Sequence, residues 1–230
     1  MPVIDWSQRP IYLITDGSAS RSSEFDSSTG LRDTLLELIQ HAPTRLGAIQ
    51  LREQIGDDPM SDSDLCWVVR ELREVALSNE IPILVNRRID LATQLGVGVH
   101  LQAPTANIGM AIEAGVPFIG YSAHSLNEAN AAFDSGASFV TLSPIFMPQS
   151  KKHYRGEIFG LEKLKEACGI LGPGRPVIGL GGVSVTNIPM LSSTGVSGFG
   201  CINAVFSAPD KALAMTELLR GWDQSESVSQ

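Results

Sequence analysis

Apolar positions along the chain fall into two kinds of run that alternate. Short runs, apolar on both faces, lie at residues 11–15, 48–51, 82–86, 98–101, 118–121, 139–142, 177–180 and 198–202. Strands buried on both sides in a parallel sheet read this way, because neither face alternates with water. Longer stretches between them, near 31–41, 62–79, 88–95, 105–114, 126–135, 160–171, 185–194 and 209–222, carry helical spacing. The second is the clearest: Asp62-Ser-Asp64 supplies capping chemistry, and Leu65, Val68, Val69, Leu72, Val75 and Ala76 then recur on one face. Gly47-Ala-Ile-Gln-Leu, Gly136-Ala-Ser-Phe-Val and Gly195-Val-Ser-Gly-Phe share a formula that predicts a glycine stop after a helix with a strand directly behind it.

Eight strand–helix units in 230 residues average about 29 residues each, the size of a βα repeat. Two architectures absorb that pattern, a closed barrel and a doubly wound open sheet. The open dinucleotide-binding sheet predicts GxGxxG after the first strand, where this chain has Asp16-Gly-Ser-Ala-Ser-Arg21. The other glycine cluster, Gly179-Leu-Gly-Gly-Val-Ser184, places Ser184 where a third glycine belongs. The fold class expected is therefore α/β, a (β/α)8 TIM barrel with a closed parallel sheet. Residues 1–223 form a single barrel domain in this reading, with a mobile Ser- and Asp-rich loop over 16–29 and a disordered polar tail over 224–230.

Composition narrows the function. Seventeen basic residues against 25 acidic ones give a formal net charge of −8, the wrong sign for a general nucleic-acid binder. No apolar run approaches the roughly 20 residues that span a bilayer, and the opening residues lack the blocks of a signal peptide. Cys66, Cys168 and Cys201 are odd in number and far apart, with neither a CxxC pair nor a disulfide framework. The expectation is a cytoplasmic protein whose partner is a small molecule and neither nucleic acid nor membrane, with homo-oligomerisation left open.

Barrels of this class place their sites at the C-terminal ends of the strands. Those positions hold Thr15 and Asp16, Gln50 and Arg52, Asn86 and Arg87, His100 and Gln102, Ser122 and His124, Ser143 with Lys151, Gly181 and Gly182, and Ile202 with Asn203. The glycines of Gly179-Leu-Gly-Gly-Val-Ser-Val-Thr-Asn187 and the turn after the eighth strand expose backbone N–H groups where an anion such as phosphate is favoured; they also serve simply as tight turns. His124 is either a proton-transfer group at the rim or a cap for the helix starting near Ser125. Lys151 and Lys152 are either a solvated pair or a lid on an anion. Arg52, emerging from a buried strand, needs a substrate phosphate or a structural carboxylate such as Glu53.

Several of these segments resemble the superfamily of thiamine phosphate synthases and TenI-type thiazole tautomerases. They are Arg9-Pro-Ile-Tyr-Leu-Ile-Thr-Asp16, Ile49-Gln-Leu-Arg-Glu53, Val85-Asn-Arg-Arg-Ile-Asp-Leu-Ala92, Gly98-Val-His-Leu101, Tyr121-Ser-Ala-His-Ser-Leu126, Ser143-Pro-Ile-Phe146, Lys151-Lys152, Gly160-Leu161 and the glycine cluster after the seventh strand. The match runs in collinear order over roughly residues 9 to 210. It implies a barrel of thiamine biosynthesis. The synthase joins a pyrimidine diphosphate to a thiazole phosphate and releases diphosphate with Mg²⁺ assistance.

The chain departs from the synthase pattern at defined places. Gln54 stands where QLRxK has its lysine, and Arg87 and Thr105 stand at the two metal-ligand aspartates. Pro148 and Ser150 replace loop threonines, while Lys151 is kept. Mg²⁺ prefers hard carboxylate and phosphate oxygens, so two lost carboxylates and a gained cation argue against metal-assisted chemistry. By resemblance the TenI-like branch fits these departures. It implies a metal-free proton shift on a thiazole phosphate, with His124 as the proton shuttle and no cofactor, and with Arg52, Asn86, Ser122, Lys151, Gly181, Gly182, Ile202 and Asn203 binding the substrate and its phosphate. The expectation is thus a thiazole tautomerase. Its alternatives are a thiamine phosphate synthase, which would need Mg²⁺ and pyrimidine diphosphate, and a non-catalytic sensor of a phosphate ligand.

Overall fold

The computed structural model describes residues 4–18, 27–55, 59–147 and 156–226. Eight strands, β1 (Ile11–Ile14), β2 (Leu46–Leu51), β3 (Ile83–Asn86), β4 (Gly98–Leu101), β5 (Ile119–Ala123), β6 (Phe139–Leu142), β7 (Val177–Gly179) and β8 (Gly198–Cys201), pair in sequence order. All neighbours are parallel, and β8 closes on β1 through Ile11↔Phe199, Tyr12↔Gly200 and Leu13↔Cys201. The helices described are α1 (Ser27–His41), α2 (Asp62–Ser78), α3 (Ile89–Leu95), α4 (Ala106–Glu113), α5 (Leu126–Asp134), α6 (Gly160–Leu171), α7 (Ile188–Ser192), α8 (Asn203–Phe206) and α9 (Lys211–Glu226). The expected (β/α)8 TIM barrel is the architecture of this chain.

The period-2 geometry of each strand splits its side chains between two cores. Ile11 and Leu13 face outward with Ile49, Val85, Val99 and Val140, and join the leucines and valines of the helices in one continuous layer. Tyr12, Ile14, Ala48, Leu84, Phe139 and Ile178 face inward, with Trp6 and Phe118 packed against them. Both faces are therefore buried, which is why the strands read as unbroken apolar runs. The inner core is aromatic: Phe139 meets Tyr12 edge-on with centroids 4.9 Å apart, Phe118 at 5.5 Å and Trp6 at 5.3 Å. Space for this cluster comes from an inward-facing glycine. A Cβ on Gly120 would lie 2.5 Å from Phe139 Cζ and 2.6 Å from His100 Nδ1.

Three local expectations need correction. The glycine of Gly47-Ala-Ile-Gln-Leu is no helix stop: it lies inside β2, where Trp6 and the Arg9 carbonyl leave no room for a side chain. The first helix begins at Ser27, inside the stretch expected as loop, and residues 19–26 lie outside the described residues. The final helix continues to Glu226, so the barrel's last element crosses the expected boundary at 223; positions 227–230 of the expected disordered tail lie outside the described residues. Cys66, Cys168 and Cys201 are all free. Among the described residues no helix is long and apolar enough to cross a membrane.

Candidate active site

The inward row of side chains turns from apolar to polar toward the C-terminal ends of the strands. There Gln50, Asn86, His100 and Ser122 follow Ala48, Leu84, Gly98 and Gly120 in phase. A cavity of about 140 Å³ opens above them, lined by these four together with Arg52, Arg87, Gln102, Ile14, Leu180 and Ile202 among others. Five strands thus supply polar groups to one mouth, β1 contributing through Tyr12 below it.

These groups are joined in one hydrogen-bonded chain. Gln50 Nε2 donates to Asn86 Oδ1 at 3.0 Å, and the Tyr12 hydroxyl donates to Gln50 Oε1 at 2.9 Å. Tyr12 Oη also lies 2.8 Å from His100 Nδ1, and His100 Nε2 lies 2.8 Å from Ser122 Oγ. A phenol has one proton. With that proton on Gln50, His100 Nδ1 must donate to Tyr12, so Nε2 carries the lone pair and the Ser122 hydroxyl donates to it. Burial pushes the His100 imidazole down to about 3 and the Tyr12 phenol well above its ordinary value, so both are neutral near pH 7. The floor of the mouth is polar without being charged.

The charge lies in the walls. Arg52 follows β2, where its backbone N–H donates to Thr15 Oγ1 at 2.8 Å and its Nε reaches the Thr15 carbonyl at 3.4 Å. Glu53, raised as its structural partner, instead accepts from the Gly17 N–H at 3.1 Å. Arg87 follows β3 in a left-handed turn, with φ +63°, and its Nη2 donates to Gln102 Oε1 at 2.7 Å. The adjacent Arg88 turns the other way. It pairs with Asp62 through both Nη atoms at 2.8 Å and with Asp90, and it holds the Asp62 carboxyl down at about 2. Gln54, at the family's lysine position, is tied into that same network through Asp62 and the Met60 carbonyl.

The remaining expected residues are placed as follows. Ile202 lines the mouth, and Asn203 opens α8 directly behind it. Gly181 and Gly182 follow β7 with φ +95° and +69°. A Cβ on Gly182 would lie 2.7 Å from the Phe146 and Met147 carbonyl oxygens, so the turn requires glycine whatever it binds. Lys151 lies outside the described residues. His124 is not in the mouth. It is exposed, its Nδ1 donates to the Ser143 carbonyl at 2.8 Å, and it borders a separate cavity with Ser125, Phe159 and Lys163. Its backbone N–H donates to Glu128 Oε2 while Ser125 Oγ accepts from the Glu128 N–H, the reciprocal arrangement that caps α5. The residue that sequence reasoning left out is Tyr12, whose inward phase with Ile14 was the available signal.

A profile of the family described as thiamine monophosphate synthase matches residues 11–205, from the first strand through α8. The chain belongs to the thiamine monophosphate synthase family. A thiamine-phosphate synthase of Desulfitobacterium hafniense is 30% identical over 223 residues, covering 95% of this chain and 98% of that protein. One from Clostridium botulinum is 30% identical over 214 residues, covering 91% and 96%. Among solved structures, a thiamine phosphate pyrophosphorylase from Pyrococcus furiosus superposes with a TM-score of 0.72 at 25% identity, over 96% of this chain and 98% of that one.

These relatives overturn the tautomerase expectation. They match nearly the whole chain, and each is named as a synthase or pyrophosphorylase; none is named an isomerase. The chain is an enzyme-family barrel of thiamine biosynthesis, and the proton-shuttle role given to His124 goes with the isomerase reading. The expectation failed because substitutions at 54, 87 and 105 were taken to change the reaction. Of the three, Arg87 is among the residues described as lining the mouth, where it adds a positive charge, whereas Gln54 is bound into the Arg88–Asp62 network and Thr105 holds the N-cap position of α4. Family resemblance implies Mg²⁺ at positions 87 and 105, which here carry a guanidinium and a hydroxyl. The described lining of the mouth contains two arginines and no carboxylate, and among the described residues no cluster of three or more His, Cys, Asp or Glu could hold a metal. Among the described residues, those lining the mouth do not fit a protein-held Mg²⁺.

Proposed function

We propose that this chain joins a pyrimidine diphosphate to a thiazole phosphate, forming thiamine phosphate and releasing diphosphate. What carries the reading is the single cavity in which Arg52, Asn86, Ser122 and Ile202 meet, in a chain whose full-length relatives bear the synthase name. In this transfer the bond from the pyrimidine methylene carbon to the diphosphate oxygen breaks. A bond from that carbon to the thiazole ring nitrogen forms, and diphosphate leaves with the electron pair. The arginines on the β2 and β3 loops sit where that charge develops. The Gln50–Tyr12–His100–Ser122 chain orients neutral donors and acceptors toward the heterocycle and fixes their polarity. Asn86 and Ser122 face the pyrimidine diphosphate in this reading, and Gly181, Gly182, Ile202 and Asn203 the thiazole phosphate.

A coupling enzyme must hold both molecules at once. In calorimetric titrations each ligand should bind separately, with one site per chain. Saturation with thiazole phosphate should leave the site for an unreactive pyrimidine diphosphate analogue open. Competition between the two, or binding of only one of them, would contradict the reading and leave a single-ligand sensor.

A further inference from the structure

We propose that Tyr12 is a positioning residue whose single hydroxyl proton sets the direction of the hydrogen bonds along the floor of the mouth, so that Asn86 offers a donor and Ser122 an acceptor to the bound pyrimidine. The identity of that ring rests on the coupling reading. Tyr12 is not among the residues described as lining the cavity; it lies fully buried beneath them, edge-on to Phe139. Its hydroxyl is the junction of two arms. In one, Gln50 Oε1 accepts the phenol proton at 2.9 Å, which turns Gln50 Nε2 toward Asn86 Oδ1 at 3.0 Å. The Asn86 oxygen is thereby engaged and its NH₂ group is left to donate, with no other partner among the described residues.

In the other arm, His100 Nδ1 lies 2.8 Å from the Tyr12 oxygen, which has lone pairs but no second proton. Burial keeps the imidazole neutral, so it carries one proton, at Nδ1, and Nε2 accepts from Ser122 Oγ at 2.8 Å. Ser122 has its proton turned inward and its remaining lone pairs toward the cavity. Nδ1 is otherwise walled by Gly120 and the Phe139 ring, whose centroid lies 5.9 Å from that of the imidazole. Remove the phenol oxygen and Nδ1–H becomes a buried donor without an acceptor; a bare lone pair there costs less. The ring proton then belongs on Nε2, Ser122 accepts it, and the Ser122 hydroxyl proton turns to the cavity. An acceptor at Ser122 suits an exocyclic amine on the pyrimidine. A donor there suits a carbonyl, so Tyr12 selects an amino-pyrimidine over its oxo counterpart.

Tyr12→Phe removes one oxygen and keeps the ring that packs on Phe139. Nitrogen-15 NMR of the full chain reads the His100 tautomer, its resonance assigned by its loss in His100→Asn. Wild type is expected to be protonated at Nδ1 and Tyr12→Phe at Nε2. Calorimetry then compares an amino-pyrimidine diphosphate with its oxo counterpart. Wild type should favour the amino form by about 10²-fold or more, and Tyr12→Phe should shrink that ratio by about tenfold or more. A purely structural loss would weaken both ligands alike, so an unchanged ratio in a folded Tyr12→Phe protein would overturn the proposal. Protonation at Nε2 in wild type would overturn it whether or not the variant folds. Tight amino-pyrimidine binding by such a chain would leave the coupling reading intact. Binding of neither pyrimidine would sink the coupling reading, and the wild-type tautomer would still decide the part of Tyr12.

Discussion

Arg52→Ala should lower the rate of thiamine phosphate formation by about 10²-fold or more while leaving the barrel folded. The leaving diphosphate gains charge as its bond to carbon breaks, and a guanidinium fixed beside it stabilises the transition state more than the ground state. Arg52 is fixed: its backbone is held to Thr15 across the β1–β2 seam, and its Nε is directed to the Thr15 carbonyl. Arg52→Lys keeps the charge but loses the planar fork, and should fall between the two. Steady-state rates with both substrates, alongside melting curves to establish folding, measure this. An Arg52→Ala enzyme within threefold or so of wild type would remove Arg52 from the diphosphate site.

The second large effect is on stability and comes from His100. Its imidazole is pushed from an ordinary 6.5 down to about 3 by burial. Above pH 6.5 both folded and unfolded chains hold this group neutral, and its contribution to stability is fully present. As pH falls below 6.5 the unfolded chain takes up a proton that the buried ring refuses until about pH 3, so stability is lost across that window. Between pH 6.5 and 5 the loss is about 2 kcal/mol, or roughly 4–8 °C in melting temperature for a chain of this size. Asp62, held at about 2 against an ordinary 3.8, acts only at lower pH. His100→Asn should be less stable at pH 7, because it disrupts contacts to Tyr12 and Ser122, yet should show a distinctly flatter slope from 6.5 to 5. Parallel slopes for the two proteins would show that His100 titrates normally in the fold.

The barrel was legible because its strands are buried on both faces and its helices on one, and each geometry leaves its own period in the chain. The elements that escaped were those too short or too polar to show a period. Asn203–Phe206 is a single turn following its strand almost directly, and Ser27-Ser-Thr-Gly reads as loop chemistry although it opens a helix. Arg52, Asn86, Arg87, His100, Gln102 and Ser122 could be read off as strand-end residues, and the fold brings them to one cavity. Their bonding could not be read. The chain from Asn86 to Ser122 crosses three inter-strand registers and the barrel interior between Tyr12 and His100, and register between distant segments leaves no trace in local periodicity. His124 misled because a histidine just after a strand has two directions open to it. This one follows the last residue of β5 sideways onto the α5 cap, whereas His100, inside β4 and in phase with Gly98, points to the axis.

The most direct measurement mixes purified protein with pyrimidine diphosphate and thiazole phosphate and follows thiamine phosphate and free diphosphate together, with and without Mg²⁺. Coupling predicts that the two products appear in equal amounts, that omission of either substrate stops both, and that Arg52→Ala slows both alike. Absence of thiamine phosphate in either condition, from a protein that still binds both ligands, would contradict it.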